Sequence, residues 1–253
     1  MKMACQTITW SEGNRNMPHV MKEVRAAGFD GLEIGARHLN PVQAGEYRDL
    51  LAANALTLVA LHVGGDFLNA DSVKRQMENL PKTLALARGL GAGFVLLSSG
   101  AYGDGGVAAY AAAAANYNEL GKMCASEGLK LCYHNHDWEM KNGGVGWRTL
   151  IEHTRAELVS FAPDVGWVTR GGADPVCVVS ELYDRIALVH FKEFTADGKI
   201  TELGRGMVNF RGVYDILKRK GEQFWFVAEQ DVTETTPRES AAQNARYLKS
   251  LVK

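Results

Sequence analysis

GLKLCYHNH, residues 128–136, reads as a short strand that begins after a helix-closing glycine and ends on a histidine. Three later apolar runs share this form: 158–164 ends at Asp164, 186–190 at His190 and 224–229 at Glu229. The intervals of roughly 30 residues accommodate one helix and two connections, the requirement for a parallel crossover. Right-handed crossovers put the C-terminal ends of such strands on one side, so all four endings face one mouth.

Working outward, strand-like segments fall at 3–9, 30–35, 56–63 and 93–98, and continue at 129–134, 158–164, 186–192 and 224–229. Helical patterns lie between them at about 17–27, 41–53, 71–90, 106–126, 147–157, 174–184, 210–220 and 237–251. Gly28, Asn54, Gly91, Gly128 and Gly221 stand where left-handed helix caps are wanted. Eight alternations predict an α/β fold, a single (β/α)8 TIM barrel of parallel strands forming one domain over residues 1–253; an open doubly wound sheet is the alternative. The longer loops at 64–69, 98–106, 136–146 and 195–209 follow strands 3, 4, 5 and 7, on the functional face of a barrel. The glycine-rich stretch 100–106 reads as a lid or turn, because it matches neither a P-loop nor a dinucleotide fingerprint.

Hydrophobic residues at 46% and charged residues at 23% suit a packed globular chain, and the 253 residues match the usual barrel length of about 250. With a net charge of −1 and no basic stripe, neither a nucleic-acid nor a membrane partner is expected. A small-molecule partner is, and a homo-oligomer is compatible with the sequence. Cys5, Cys124, Cys132 and Cys177 form no C-x-x-C pair and read as reduced, packed thiols. The N-terminus lacks the form of a secretion signal, and every apolar run falls short of the ~20 residues that span a bilayer, which predicts a cytoplasmic location.

Alternation along strands tests whether the polar endings point into the barrel. Cys132, His134 and His136 share one face, as do Ser160, Ala162 and Asp164; Leu188, His190 and Lys192; and Val227, Glu229 and Asp231. Glu33 and His62 join them from strands 2 and 3. Buried ionisable groups gathered without compensation are costly, and a cation removes that cost. Imidazole and carboxylate donors without thiolate suit one divalent ion, with Mn²⁺ first and Co²⁺, Mg²⁺, Fe²⁺ or Zn²⁺ as alternatives.

The ordered motifs GLKLCYHNHDWE (128–139), PDVGW (163–167), VHFKE (189–193), LGRGMVNF (203–210) and AEQD (228–231) resemble the xylose-isomerase-like barrel superfamily along the whole chain, in particular its sugar phosphate isomerase/epimerase and inosose dehydratase groups. The resemblance implies metal ligands on strands 5 to 8, ordinarily Glu, Asp, His and Glu, at positions held here by His134, Asp164, His190 and Glu229. Epimerases of that family use the strand-5 and strand-8 glutamates as a pair of acid/base groups. Histidine at 134 removes the first of them, and His136, His62, Glu33 or Lys192 are the available substitutes.

The expected site therefore has His134, Asp164, His190 and Glu229 as ligands, with His136 as the alternative ligand on strand 5. Glu229, His136, Lys192 and His62 are the candidate catalytic groups, and Glu33, Trp10, Trp138, Trp167 and Arg205 the candidate substrate contacts, the indoles offering flat apolar faces to a sugar ring. The expected function is a divalent-metal-dependent isomerase or epimerase of a sugar or sugar derivative, acting through a metal-bound enediolate. The alternative is a metal-dependent lyase or dehydratase that eliminates a β-substituent from a keto-sugar or inosose at the same site; a sugar-binding barrel without chemistry is the third reading.

Overall fold

The computed structural model describes residues 1–100 and 106–252, with residues 12–15 followed for their backbone alone. Most of the glycine-rich stretch 100–106 therefore lies outside the described residues. The strands β1 (Lys2–Gln6), β2 (Gly31–Gly35), β3 (Thr57–Gly65), β4 (Phe94–Ser99), β5 (Lys130–Tyr133), β6 (Val159–Phe161), β7 (Val189–Phe191) and β10 (Trp225–Ala228) form one parallel sheet. Its order is β6-β5-β4-β3-β2-β1-β10-β7. Parallel bridges from Phe161 to Ile186 and from Asp164 to His190 join β6 to β7 and complete the ring.

Two apolar layers follow from the alternation of side chains. Ala4, Val59, Ala60, Leu96, Cys132, Ala162, Leu188, Trp225 and Val227 fill the barrel interior. The opposite strand faces meet the helices in the larger core, which includes Leu32, Leu61, Val95, Tyr133, Phe161, Phe191 and Phe226. Small residues such as Ala4 and Ala162 beside Trp225 and Leu188 fit the taper of a closed barrel.

The helices are α1 (Met17–Ala27), α2 (Ala44–Ala53), α3 (Ala70–Gly89), α4 (Gly106–Ser126), α5 (Lys141–His153), α6 (Val165–Arg170), α7 (Pro175–Glu181), α8 (Phe210–Leu217) and α9 (Pro237–Leu251). Gly28 closes α1 at φ 98°, as its position predicts. Asn54, expected as a left-handed cap, instead ends α2 at φ −96°, and three larger features also depart from the sequence expectation. Asp164 caps an additional short helix, α6, by accepting from the Trp167 N–H. The segment 186–192 yields only a three-residue strand, after which Glu193–Phe194 (β8) pairs antiparallel with Ile200–Thr201 (β9) in a separate hairpin. The segment 3–9 stops being a strand at Gln6, where it turns into a 3₁₀ stretch.

Cys5, Cys124 and Cys132 are buried free thiols, whereas Cys177 is exposed and donates to Asp174 Oδ2 at 3.4 Å. Cys177 is thus not a packed thiol: it occupies the outer face of α7, whose buried side is built from Pro175, Val178 and Val179. Among the described residues, no helix is long and apolar enough to cross a membrane.

Candidate metal centre

The last four barrel strands carry their polar endings to one point. The His134 N–H donates to the Leu97 carbonyl at 2.8 Å, continuing the β4–β5 ladder one residue past the strand. Asn135 then locks β5 to β6: its Oδ1 accepts from the Asp164 N–H at 2.9 Å and its Nδ2 donates to the Asp164 carbonyl at 3.3 Å. His190 is paired with Asp164 across the closing seam, and the Glu229 N–H donates to the Phe191 carbonyl at 3.0 Å. As a result one donor atom from each of His134, Asp164, His190 and Glu229 lies within 4.8 Å of the others, and all four residues are buried. His134, rather than His136, completes this group.

The four side chains sit in a wider charge network. His190 Nδ1 is 2.6 Å from Glu229 Oε2, and its Nε2 is 2.9 Å from Glu33 Oε2. Lys192 donates to Glu229 Oε1 at 3.0 Å and to Asp231 Oδ2 at 2.6 Å, and lies 3.8 Å from Asp164 Oδ2. Burial opposes the charge on His190, yet Glu33 and Glu229 on its two sides push its pKa up to about 10. Burial would raise Glu229, but Lys192, His134 and His190 outweigh it and hold that carboxyl well below its ordinary value. Asp164 shows the reverse balance: burial dominates, and its pKa rises to about 7 despite Lys192. His134 is kept neutral, its pKa far below the ordinary imidazole value, chiefly by burial.

These residues fit a divalent cation. Asp164 Oδ2 and His134 Nδ1 are buried without a hydrogen-bond partner, a costly state for polar atoms in a close-packed interior. Glu33, Asp164, Glu229 and Asp231 supply four carboxyls against the two cationic groups Lys192 and His190, so the cluster has room for added positive charge. The donors are nitrogen and oxygen, the set that Mn²⁺ and its neighbours accept.

A cavity of about 180 Å³ opens over the cluster, and His62, His134, His136 and Glu229 line it. Gln6, Arg37, His38, Ser98 and Asp231 share that lining. None of these five is among the expected site residues, although the parity of β10 places Asp231 inward, Gln6 and Ser98 lie at the C-terminal ends of β1 and β4, and Arg37 and His38 follow β2. The alternation that selected His134 and Glu229, applied to every strand end, finds Gln6, Ser98 and Asp231; Arg37 and His38 lie in the 3₁₀ turn after β2, where alternation gives no guide.

The other expected contacts are placed differently. Glu33 is fully buried behind the cavity wall, with both oxygens taken by the imidazoles of His62 and His190, so it is not a substrate contact. Trp10 is turned away, donating to Glu23 Oε2 at 2.6 Å beside α1 and lining a separate cavity, because the chain leaves the strand at Gln6. Arg205 is exposed and lies 3.5 Å from Glu202; the Glu193 carboxylate accepts from the Gly204 and Val208 N–H groups and holds that loop to the hairpin. Trp138 stacks on His136 at 4.1 Å between ring centroids, Trp167 lies 5.6 Å from the same ring, and Lys192 Nζ sits 4.6 Å from the Trp167 ring centre. Neither indole lines the cavity, and neither does Lys192, which is buried beneath Glu229 and Asp231; Trp138 and Trp167 pack against His136 and Lys192 instead. Burial among them lowers the His136 pKa to about 3, leaving a neutral ring.

Residues 21–251 match the family model described as a xylose isomerase-like TIM barrel. The chain is similar to an inosose dehydratase of Halalkalibacterium halodurans, with 25% identity covering 92% of this chain and 86% of that protein. An inosose dehydratase of Bacillus anthracis is 24% identical, covering 98% of this chain and 96% of the relative. Among solved structures, a sugar phosphate isomerase/epimerase from Parabacteroides distasonis superposes with a TM-score of 0.85 at 20% identity over 100% of both chains. An L-ribulose 3-epimerase superposes with a TM-score of 0.80 at 20% identity, covering 99% of this chain and 94% of that one. At these identities the structural likenesses speak for the fold.

Proposed function

Because the chain belongs to the xylose isomerase-like TIM barrel family, we propose that it acts as one barrel domain and is a divalent-metal-dependent isomerase or epimerase of a sugar or sugar derivative. The observation that carries this reading is the buried convergence of His134, Asp164, His190 and Glu229 beneath a polar cavity. Mn²⁺ is the ion we assign, and Co²⁺, Mg²⁺, Fe²⁺ and Zn²⁺ are compatible with the same nitrogen and oxygen donors. When bound, such an ion supplies Lewis-acid polarisation of a substrate oxygen.

The remaining chemistry belongs to the protein. Glu229, held ionised by Lys192 and the charged His190, takes and returns a proton on the carbon next to a carbonyl. The Lys192 ammonium, buried beneath the cavity and fixed by Glu229 and Asp231, supplies positive charge that favours negative charge developing on the substrate oxygen. His136, neutral and stacked on Trp138, accepts a hydrogen bond from a substrate hydroxyl. His62 lines the same cavity with one ring nitrogen fixed by Glu33.

The test is proton exchange: the Mn²⁺-loaded protein, incubated in D₂O with a panel of ketoses that includes ribulose, is expected to incorporate deuterium next to the carbonyl. No incorporation across the panel contradicts the reading. A second reading, elimination of a β-substituent by a lyase, is favoured by the imidazole at 134 where a paired carboxylate would support reversible transfer, and by the full-length likeness to proteins named inosose dehydratase. An enone absorbance appearing with inosose, without stereochemical exchange, selects it.

A further inference from the structure

The cavity wall contains a hydrogen-bonded chain with a defined direction. Ser98 Oγ lies 2.9 Å from His62 Nε2, and His62 Nδ1 lies 2.8 Å from Glu33 Oε1. Three adjacent strands set these contacts, because Gly35 of β2 is in register with His62 of β3, and Gly64 of β3 with Ser98 of β4. Ser98 and His62 line the cavity, whereas Glu33 is fully enclosed behind them. An ionised carboxylate only accepts hydrogen bonds, so the ring nitrogen facing Glu33 carries a proton. In the neutral ring the Nε2 lone pair is then left for the Ser98 hydroxyl. Glu33 is held in turn by His190, which bonds its second oxygen at 2.9 Å. A hydroxyl directed onto an imidazole that is itself oriented by a carboxylate is an arrangement that activates serine.

We propose that Ser98, His62 and Glu33 form an activated-hydroxyl relay, with Ser98 as a second proton-transfer group of this site and Glu33 as its positioning residue. The inference rests on the isomerase or epimerase reading for its use in turnover. In the ring order, β4 and β10 stand four places apart among eight strands, so Ser98 and Glu229 approach a substrate from opposite walls. In the forward direction, the C–H bond breaks toward the Glu229 carboxylate and its electron pair stays with the carbon and the adjoining carbonyl. On the other face His62 has first taken a proton from solvent, so that its Nε2–H donates to Ser98 Oγ; the Ser98 O–H proton then moves to that carbon and the Nε2 proton replaces it, leaving the neutral ring. The electron pair becomes the new C–H bond, one proton has moved onto Glu229 and one has left His62. The reverse direction runs the same chain backward. The relay thus provides the opposite-face group that His134 cannot provide as a carboxylate.

Two measurements on the full chain test the relay without requiring turnover. Phenylmethylsulfonyl fluoride, a small serine-directed reagent, is expected to label Ser98: the Oγ–S bond forms, fluoride leaves and the hydroxyl proton passes to His62. Mass spectrometry should locate the adduct on Ser98, with His62→Gln slowing its formation by at least ~10-fold, the low end of what general-base assistance gives. Nitrogen-15 NMR of the native protein should show neutral His62 as the Nδ1–H tautomer, a signature that a merely space-filling Glu33 would not impose. Absence of label on Ser98, an unchanged labelling rate in His62→Gln, or the Nε2–H tautomer overturns the relay. Should His62→Gln fail to fold, the native tautomer decides. Because neither readout involves ketose exchange, failure of the relay and failure of the isomerase reading are separately visible.

Discussion

Asp164 divides its two oxygens between structure and the candidate site. Oδ1 accepts from the Trp167 N–H and starts α6, while Oδ2 is buried among Lys192, His190 and Glu229 without a hydrogen bond. Its pKa of about 7 lies above the ordinary 3.8. The stability it confers on the metal-free protein is therefore complete below about pH 3.8 and is lost as the pH rises through about 7. Asp164→Asn keeps the cap and removes the ionisation, so the metal-free variant should gain in melting temperature relative to the native protein between pH 4 and pH 8; a constant difference across that range contradicts the assignment. Asp164 and His190 must each lose a proton to serve as ligands, His190 because its ring is held charged between Glu229 and Glu33, so Mn²⁺ affinity should weaken as the pH falls from about 10 through about 7, and titration calorimetry in two buffers should detect proton release on binding. Lys192 offers a complementary case. It is buried with Glu229 and Asp231, and Lys192→Met strands both carboxylates. We expect kcat to fall by ~10²-fold or more and unfolding stability to fall by roughly 3–5 kcal/mol in the metal-free protein, less when cation is present to compensate. An unimpaired kcat in this variant contradicts a role in charge stabilisation.

Among the elements, β6, α6 and β7 form the seam where the ring closes, and its tightness depends on one residue without a side chain. A Cβ at Gly166 would collide with the Lys192 carbonyl oxygen, a backbone atom that cannot swing away. Gly166→Ala should cost roughly 1–3 kcal/mol of stability, the range for overpacking, and should also weaken metal binding by displacing Lys192 and Asp164 together. A melting temperature and metal affinity equal to the native values contradict this account of the seam. The strands were largely legible in the sequence, since 30–35 and 129–134 combine period-two alternation with a preceding glycine, and alternation placed His134, Asp164, His190 and Glu229 on inward faces. The loops were not. Trp10 was expected near the mouth because 3–9 read as one strand, but the chain turns at Gln6 and carries the indole to Glu23. Arg205 is held away by a loop whose N–H groups bond Glu193, a tertiary arrangement with no local periodic signal. The role of Glu33 depends on His62 and His190, the latter 157 positions distant, and only closure of the ring brings all three together.

At the level of the whole molecule, a ligand that grips four of the eight strands should stabilise the barrel as a unit. At a free Mn²⁺ concentration ~100 times its dissociation constant, linkage predicts about 2.7 kcal/mol of added stability. For a chain of this length each kcal/mol corresponds to roughly 2–4 °C, so the melting temperature should rise by about 5–10 °C and fall back with EDTA. Enzymatic exchange of ketose protons should follow the same loss and recovery. The central claim is that His134, Asp164, His190 and Glu229 hold a single divalent ion beneath the mouth cavity. An anomalous difference map at the manganese edge, from crystals of the Mn²⁺-loaded protein, tests it most directly. The account predicts one strong peak about 2.0–2.2 Å from donor atoms of all four side chains; a map with no peak at the cluster, or with manganese bound only elsewhere, contradicts it.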